Sequence, residues 1–151
     1  SGLLVVARNS AAHRQLSMQF QRREIRKRYF ALLEGIIVGE GGKIELPFRL
    51  DVENRPYQIH DSIHGKVGIT HWKKIAVEDG LTRVCFVPLT GRTHQLRVHA
   101  AHELGLGTPI VGDPLYGRGT GPGQLKLHAS ELGFLHPSSG VALTFSSKPA
   151  F

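Results

Sequence analysis

The stretch Pro88-Leu-Thr-Gly-Arg-Thr-His-Gln-Leu-Arg-Val-His99 carries the densest chemistry of the chain. Thr90, Arg92, Thr93, His94, Gln95, Arg97 and His99 put seven polar side chains into ten residues. A glycine turn that leads into a helix leaves backbone N–H groups without intrahelical partners, and Arg92 beside them makes a site for a phosphate or another anion. Arg97 follows His94 by three residues, so on a helix the two share the face that looks back toward the helix start. The plain alternative is solvated surface, since Arg and His are common in exposed first turns. The density argues against it, because a purely structural helix has no need of so many polar groups.

A second concentration of charge lies upstream. Arg22, Arg23, Arg26, Lys27 and Arg28 are five cations in seven residues, with Glu24 the only acid among them. The whole chain has a formal net charge of +7 and a pI near 10.0, which points to a polyanionic partner, nucleic acid first. A charge run taken alone is often a solvated face; two basic junctions in one small domain suit the backbone contacts that dominate nucleic-acid affinity. Tyr29 closes the cluster, and on residue type alone a tyrosine entering a strand belongs to the core. The nine histidines make no metal site by spacing. His94 and His99 project roughly 140° apart on a helix, and the better-placed His99 and His102 lack a third ligand at a characteristic distance. Gly117, Gly119, Gly121 and Gly123 read as a mobile surface loop and match no phosphate-loop or dinucleotide pattern.

These residues need a scaffold. Arg83-Val-Cys-Phe-Val-Pro88 alternates like a half-buried strand, Thr90-Gly91 has turn chemistry, and Thr93 is the expected N-cap of a helix running to about Leu104. A second helix is expected from Ser10 as N-cap through Leu16 and Phe20 to about Arg22, followed by a strand over Arg28 to Leu33. Leu3 to Ala7 also reads as a strand. Further strand signals lie at Ile44 to Leu46, Lys66 to Val77 and Val141 to Phe145, with a hairpin turn at Glu78-Asp79-Gly80. The pattern is that of a single α+β domain over residues 1–151, with a mostly antiparallel mixed β-sheet and flanking helices. A hydrophobic content of 40% and a charged content of 21% suit a globular chain. No linker, repeat, signal peptide or bilayer-length apolar run is present, so a cytoplasmic address is expected. The single cysteine, Cys85, excludes an intramolecular disulfide and reads as core packing.

The motif Thr-Gly-Arg-Thr-His-Gln-Leu-Arg-Val-His, with Pro109-Ile-Val-Gly-Asp113 and Leu115-Tyr116-Gly117 after it, resembles the RluA-type pseudouridine synthases. Ser1-Gly2-Leu3-Leu4, Lys27-Arg28-Tyr29 through Gly35, Arg55-Pro56, Gly65-Lys66, Thr70, Leu127-His128-Ala129 with Leu132, His136-Pro137 and Phe151 continue the resemblance in order along the whole chain. It implies a pseudouridine synthase catalytic domain, truncated at its N-terminus, that isomerises uridine in ribosomal or transfer RNA without metal or other cofactor and without a membrane. It further implies a catalytic Tyr29 lying against the target base and a catalytic Arg97 pairing with the nucleophilic aspartate. RNA contacts are expected from Arg22, Arg23, Arg26, Lys27, Arg28, Arg92, Thr93 and His94. The family motif sets the aspartate five residues before the position of Gly2, upstream of Ser1, so residues 1–151 alone are expected to be inactive. Arg97 is then expected to face an open, wet place or a substitute anion, with Asp113 the first candidate. A basic module that holds RNA without chemistry is the alternative.

Overall fold

A computed structural model describes residues 1–121 and 123–151. Its framework is a seven-stranded sheet in the order β3-β2-β4-β5-β1-β6-β7. In chain order the elements are α1 (Ser10–Gln21), β1 (Arg26–Leu33), β2 (Gly41–Leu50), β3 (Gln58–His60), β4 (Lys66–Glu78), β5 (Leu81–Pro88), α2 (Gln95–Ala101), β6 (Leu127–Leu135) and β7 (Ala142–Ser146). The hairpin stands where turn chemistry puts it. Asp79 and Gly80 both take the left-handed conformation, at φ 52° and 76°, whose twist suits a two-residue connection between strands. All pairings between named strands are antiparallel. The mixed character expected from sequence shrinks to one parallel bridge, Gly2 to Ala129.

Alternation decides which face is buried. Thr82, Val84, Phe86 and Pro88 of β5 point to the covered side with Ala31 and Leu33 of β1, and α2 lays Leu96 and Ala100 on them. Ile44, Leu46 and Phe48 of β2 continue the core around Val98. Each buried Val, Leu, Ile or Phe side chain of this core contributes about 1.5–3 kcal/mol. Cys85 falls on the opposite face from Val84 and Phe86 and is only half-buried, so it is not the core residue that its apolar neighbours suggest. Burial of His99 is made possible by Gly68 of β4, where a Cβ would come within 2.7 Å of the Phe48 ring and 3.0 Å of His99 Nε2.

Several element ends differ from the sequence reading. Asn9, not Ser10, caps α1, accepting from Ala12 N at 2.8 Å. Gln19 fixes the far end of that helix to β6, giving a hydrogen bond to the Leu135 carbonyl and taking one from its N–H. Leu3 to Ala7 is not a strand: only Ser1 to Leu3 pair with Ala129, and Leu4 and Val6 are exposed. α2 stops at Ala101, three residues short of Leu104, where His102 turns extended. β3 and β6 are strands that the residue pattern did not predict. Pro122, inside the glycine-rich stretch, lies outside the described residues.

Candidate active site

Lys27, Tyr29, Ala31 and Leu33 share one face of β1 by strand alternation, and Arg26 and Arg28 take the other. Tyr29 therefore continues the core row and ends it. Its backbone pairs with Phe86 and Ala129, and a β-bulge in β6 leaves Ser130 unpaired opposite Arg28, with Ser130 Oγ donating to the Arg28 carbonyl at 3.1 Å. Bulges of this kind re-aim neighbouring side chains. Burial raises the Tyr29 pKa and lowers that of Lys27.

The turn after β5 comes back to the same place. Gln95, wholly buried, staples it to β4: its amide nitrogen donates to the Ile69 carbonyl and Thr70 Oγ1, and its Oε1 accepts from Thr90 Oγ1 and the Arg92 N–H. This network corrects two expectations. Thr93 does not cap the helix; it is exposed, and the cap position belongs to His94, left-handed at φ 55° and without a side-chain cap. The anion cradle at the helix start is also partly consumed, because the Arg92 N–H serves Gln95 and the Gln95 N–H serves the Arg92 carbonyl. Thr90, Gln95 and His99 thus belong to the structure, which leaves Arg92, His94 and Arg97 as the residues that the dense motif offers to a ligand.

Those three meet Lys27 and Tyr29 in one open cavity of about 170 Å³, with Leu96 and Leu127 also in its lining. Two grooves, of about 310 and 350 Å³, adjoin it. Arg23, Arg26, Lys27 and Arg28 line the first, Arg23, Lys27 and Arg92 the second, and Lys27 belongs to all three. Arg28 is partly neutralised by Glu131 at 3.5 Å. Arg22 stands at the C-cap of α1, exposed and outside these surfaces.

Behind the cavity wall Arg97 meets the substitute anion expected of it, Asp113. Arg97 is not left facing an open place: Asp113, fully buried, takes its Nε at 2.8 Å and its Nη2 at 2.6 Å. Asp113 Oδ1 also accepts from the N–H groups of Leu115 and Tyr116. Burial would raise the Asp113 carboxyl, yet the Arg97 hydrogen bonds and those two N–H groups outweigh it and bring its pKa below the usual carboxylate value. The same bonds raise the pKa of Arg97. The bidentate pair leaves Nη1 of Arg97 for another acceptor. Gly117 and Gly119 both donate to the Asp113 carbonyl, and a Cβ on Gly119 would meet the Gly112 backbone at 2.3 Å. That part of the glycine stretch is a packed clasp around Asp113 rather than a free loop. The Tyr116 ring lies 5.2 Å from the Arg97 guanidinium, and its hydroxyl stands 3.0 Å from His94 Nδ1. Among the described residues no three His, Cys, Asp or Glu gather as a metal would require.

Comparison with known proteins finds related sequences and structures. A family model described as RNA pseudouridylate synthase matches residues 1–102. The Dual-specificity RNA pseudouridine synthase RluA of Haemophilus influenzae is 41% identical over 155 aligned residues, which take in 100% of this chain and 69% of that protein. The protein of the same name from Escherichia coli (strain K12) is 40% identical over 156 aligned residues, with 100% and 69% covered. Among solved structures, Human RNA Pseudouridylate Synthase Domain Containing 1 superposes with a TM-score of 0.78 at 32% identity, covering 97% of this chain and 63% of that one. Human RNA Pseudouridylate Synthase Domain Containing 4, at 22% identity and a TM-score of 0.71, shares the fold.

Proposed function

Since this chain belongs to the RNA pseudouridylate synthase family, whose members are RNA-modifying isomerases, we propose that its cavity receives the uridine to be isomerised in ribosomal or transfer RNA. One observation carries the reading: Tyr29, His94 and Arg97 converge on a single cavity that opens onto a basic groove through Lys27 and Arg92. A base within a duplex cannot be reached, so the nucleotide is turned out of its stack, and the Tyr29 ring supplies a face on which it rests. Arg23, Arg26 and Lys27 hold the flanking phosphates. The reaction adds no atoms. The bond from N1 to the ribose C1′ breaks, the base turns, C5 joins C1′, and a proton leaves C5 while N1 gains one.

The assisting carboxylate comes, on this reading, from the segment upstream of Ser1. Ser1 N donates to the Leu127 carbonyl, and Gly2 bridges Ala129, the β6 partner of Tyr29. Leu127 itself lines the cavity. The family motif puts the aspartate four residues before Ser1, which extended chain reaches in about 13–14 Å. Arg97, anchored on Asp113, offers Nη1 to that carboxylate and keeps it ionised. A cytoplasmic address fits ribosomal and transfer RNA. No helix among the described residues is long and apolar enough to cross a membrane.

The test uses the full-length protein on unmodified ribosomal and transfer RNA, with pseudouridine detected by mass spectrometry. Turnover is expected with wild type. Tyr29→Phe, which keeps the ring and drops the hydroxyl, should lose about 100-fold or more if that hydroxyl moves a proton, while RNA affinity changes little. Absence of pseudouridine in every RNA, with binding intact, would instead make the domain a holder of RNA without chemistry.

A further inference from the structure

Tyr116 lines none of the surfaces described above, yet it touches two side chains that do. Its ring lies under the Arg97 guanidinium, and its hydroxyl sits between the backbone N–H of Gln58, at 2.8 Å, and His94 Nδ1, at 3.0 Å. The bond from Gln58 favours one direction for this contact. The phenol oxygen already accepts from Gln58, so its own hydrogen goes to the remaining partner, and His94 Nδ1 is the acceptor. A neutral imidazole that accepts at Nδ1 carries its proton at Nε2. The ring is held neutral as well: burial and the nearby Arg97 lower its pKa, and Asp113 opposes them only in part. The backbone adds to the constraint, because His94 takes a left-handed φ of 55° that a side chain other than glycine rarely adopts.

We propose that Tyr116 is a positioning residue for the isomerisation, holding His94 as the Nε2–H tautomer so that it offers a neutral hydrogen-bond donor to a carbonyl oxygen of the uracil base in the cavity beside Tyr29. This rests on the functional reading above. A base carbonyl is a better match than a phosphate, because the cavity already holds cations suited to anions, Lys27, Arg92 and Arg97, whereas a neutral donor suits a neutral acceptor. A fixed donor also discriminates. Against O4 of uracil it is satisfied; against the amino group of cytosine it is left facing another donor.

Long-range ¹H–¹⁵N correlation spectra of the 151-residue chain near neutral pH read the His94 tautomer without any need for activity. Wild type should show one tautomer protonated at Nε2, and Tyr116→Phe, which keeps the ring under Arg97, should show a mixture. In the full-length protein Tyr116→Phe should lower kcat about tenfold, the loss expected for one hydrogen bond, with KM for RNA within about twofold. Should that variant fail to fold, His94→Gln and His94→Leu decide: the glutamine amide restores a donor near Nε2 and should keep several-fold more turnover than leucine. A wild-type His94 protonated at Nδ1, wild-type kcat in Tyr116→Phe, or a His94→Leu variant that loses RNA affinity at unchanged kcat would each overturn the proposal. If full-length wild type makes no pseudouridine while the spectra show the single Nε2–H tautomer, the functional reading falls and takes the role in isomerisation with it, and only the tautomer lock stands.

Discussion

At the scale of single residues, Arg97 and Asp113 depend on each other because the anion has no exposure at all. Removing Arg97 leaves the Asp113 carboxylate uncompensated where water does not reach, at about 3–5 kcal/mol, while removing Asp113 leaves a guanidinium that the cavity partly hydrates, at a smaller cost. Arg97→Ala should lower stability by that order in urea denaturation and Asp113→Ala by less, and the double variant should cost clearly less than their sum. Simple additivity would show that the pair is not the unit described here. His99 makes a different prediction. It is fully buried against Phe48, neither ring nitrogen has a hydrogen-bond partner among the described residues, and burial brings its pKa down from 6.5 to about 4. The unfolded chain therefore takes up the proton first as pH falls. Stability from this residue is complete above pH 6.5, declines by up to about 1.4 kcal/mol per pH unit toward pH 4 and falls no further below it. Unfolding free energies measured across that window should show the slope in wild type and a shallower one in His99→Met; equal slopes would assign the pH dependence elsewhere.

At the scale of elements, the two-residue period of β1 divides the basic cluster by function. Lys27 lines the cavity with Tyr29 as well as both grooves, while Arg26 and Arg28 line only the groove of about 310 Å³, and Arg28 is partly occupied by Glu131. A run of five cations is therefore not five equivalent contacts. RNA affinity should fall steeply with salt, and Arg26→Ala and Arg92→Ala should each reduce the slope of log affinity against log salt by about 0.7–0.9. Arg28→Ala should reduce it less. Binding isotherms over a salt series would reject this division if Arg22, outside the grooves, matters as much as Arg26.

For the whole molecule, the seven-stranded sheet unites residues far apart in sequence: Tyr29 comes from β1, Arg97 from α2, Leu127 from β6 and Asp113 from the clasp between them. Ser1 pairs at the start of β6, beside the cavity. Residues 1–151 should thus bind RNA without converting uridine, and adding the upstream segment should confer turnover. Any pseudouridine formed by the 151-residue chain above a blank preparation would mean that a carboxylate within it does the chemistry.

Local chemistry was enough to reveal the α+β class, the hairpin at Asp79-Gly80, the strand before Pro88, the basic junction and the motif around Arg92 to Arg97, because alternation, turn residues and charge act over a few positions. The family resemblance added catalytic roles for Tyr29, which residue type alone assigns to the core, and for Arg97, which spacing places only on a polar helix face. Tertiary structure alone decided the rest. Gln95 looks like a ligand in sequence and is a staple, since its partners, Ile69 and Thr70, lie on β4. Gly117 and Gly119 look like part of a loose stretch, yet both are held by hydrogen bonds to the Asp113 carbonyl. Asp113 and Tyr116 stood within a recognised motif, but their roles depend on Arg97 and His94 being brought within hydrogen-bond or ring contact from another element. Such pairings are set by long-range packing, on which the spacing of residues along one segment carries no information.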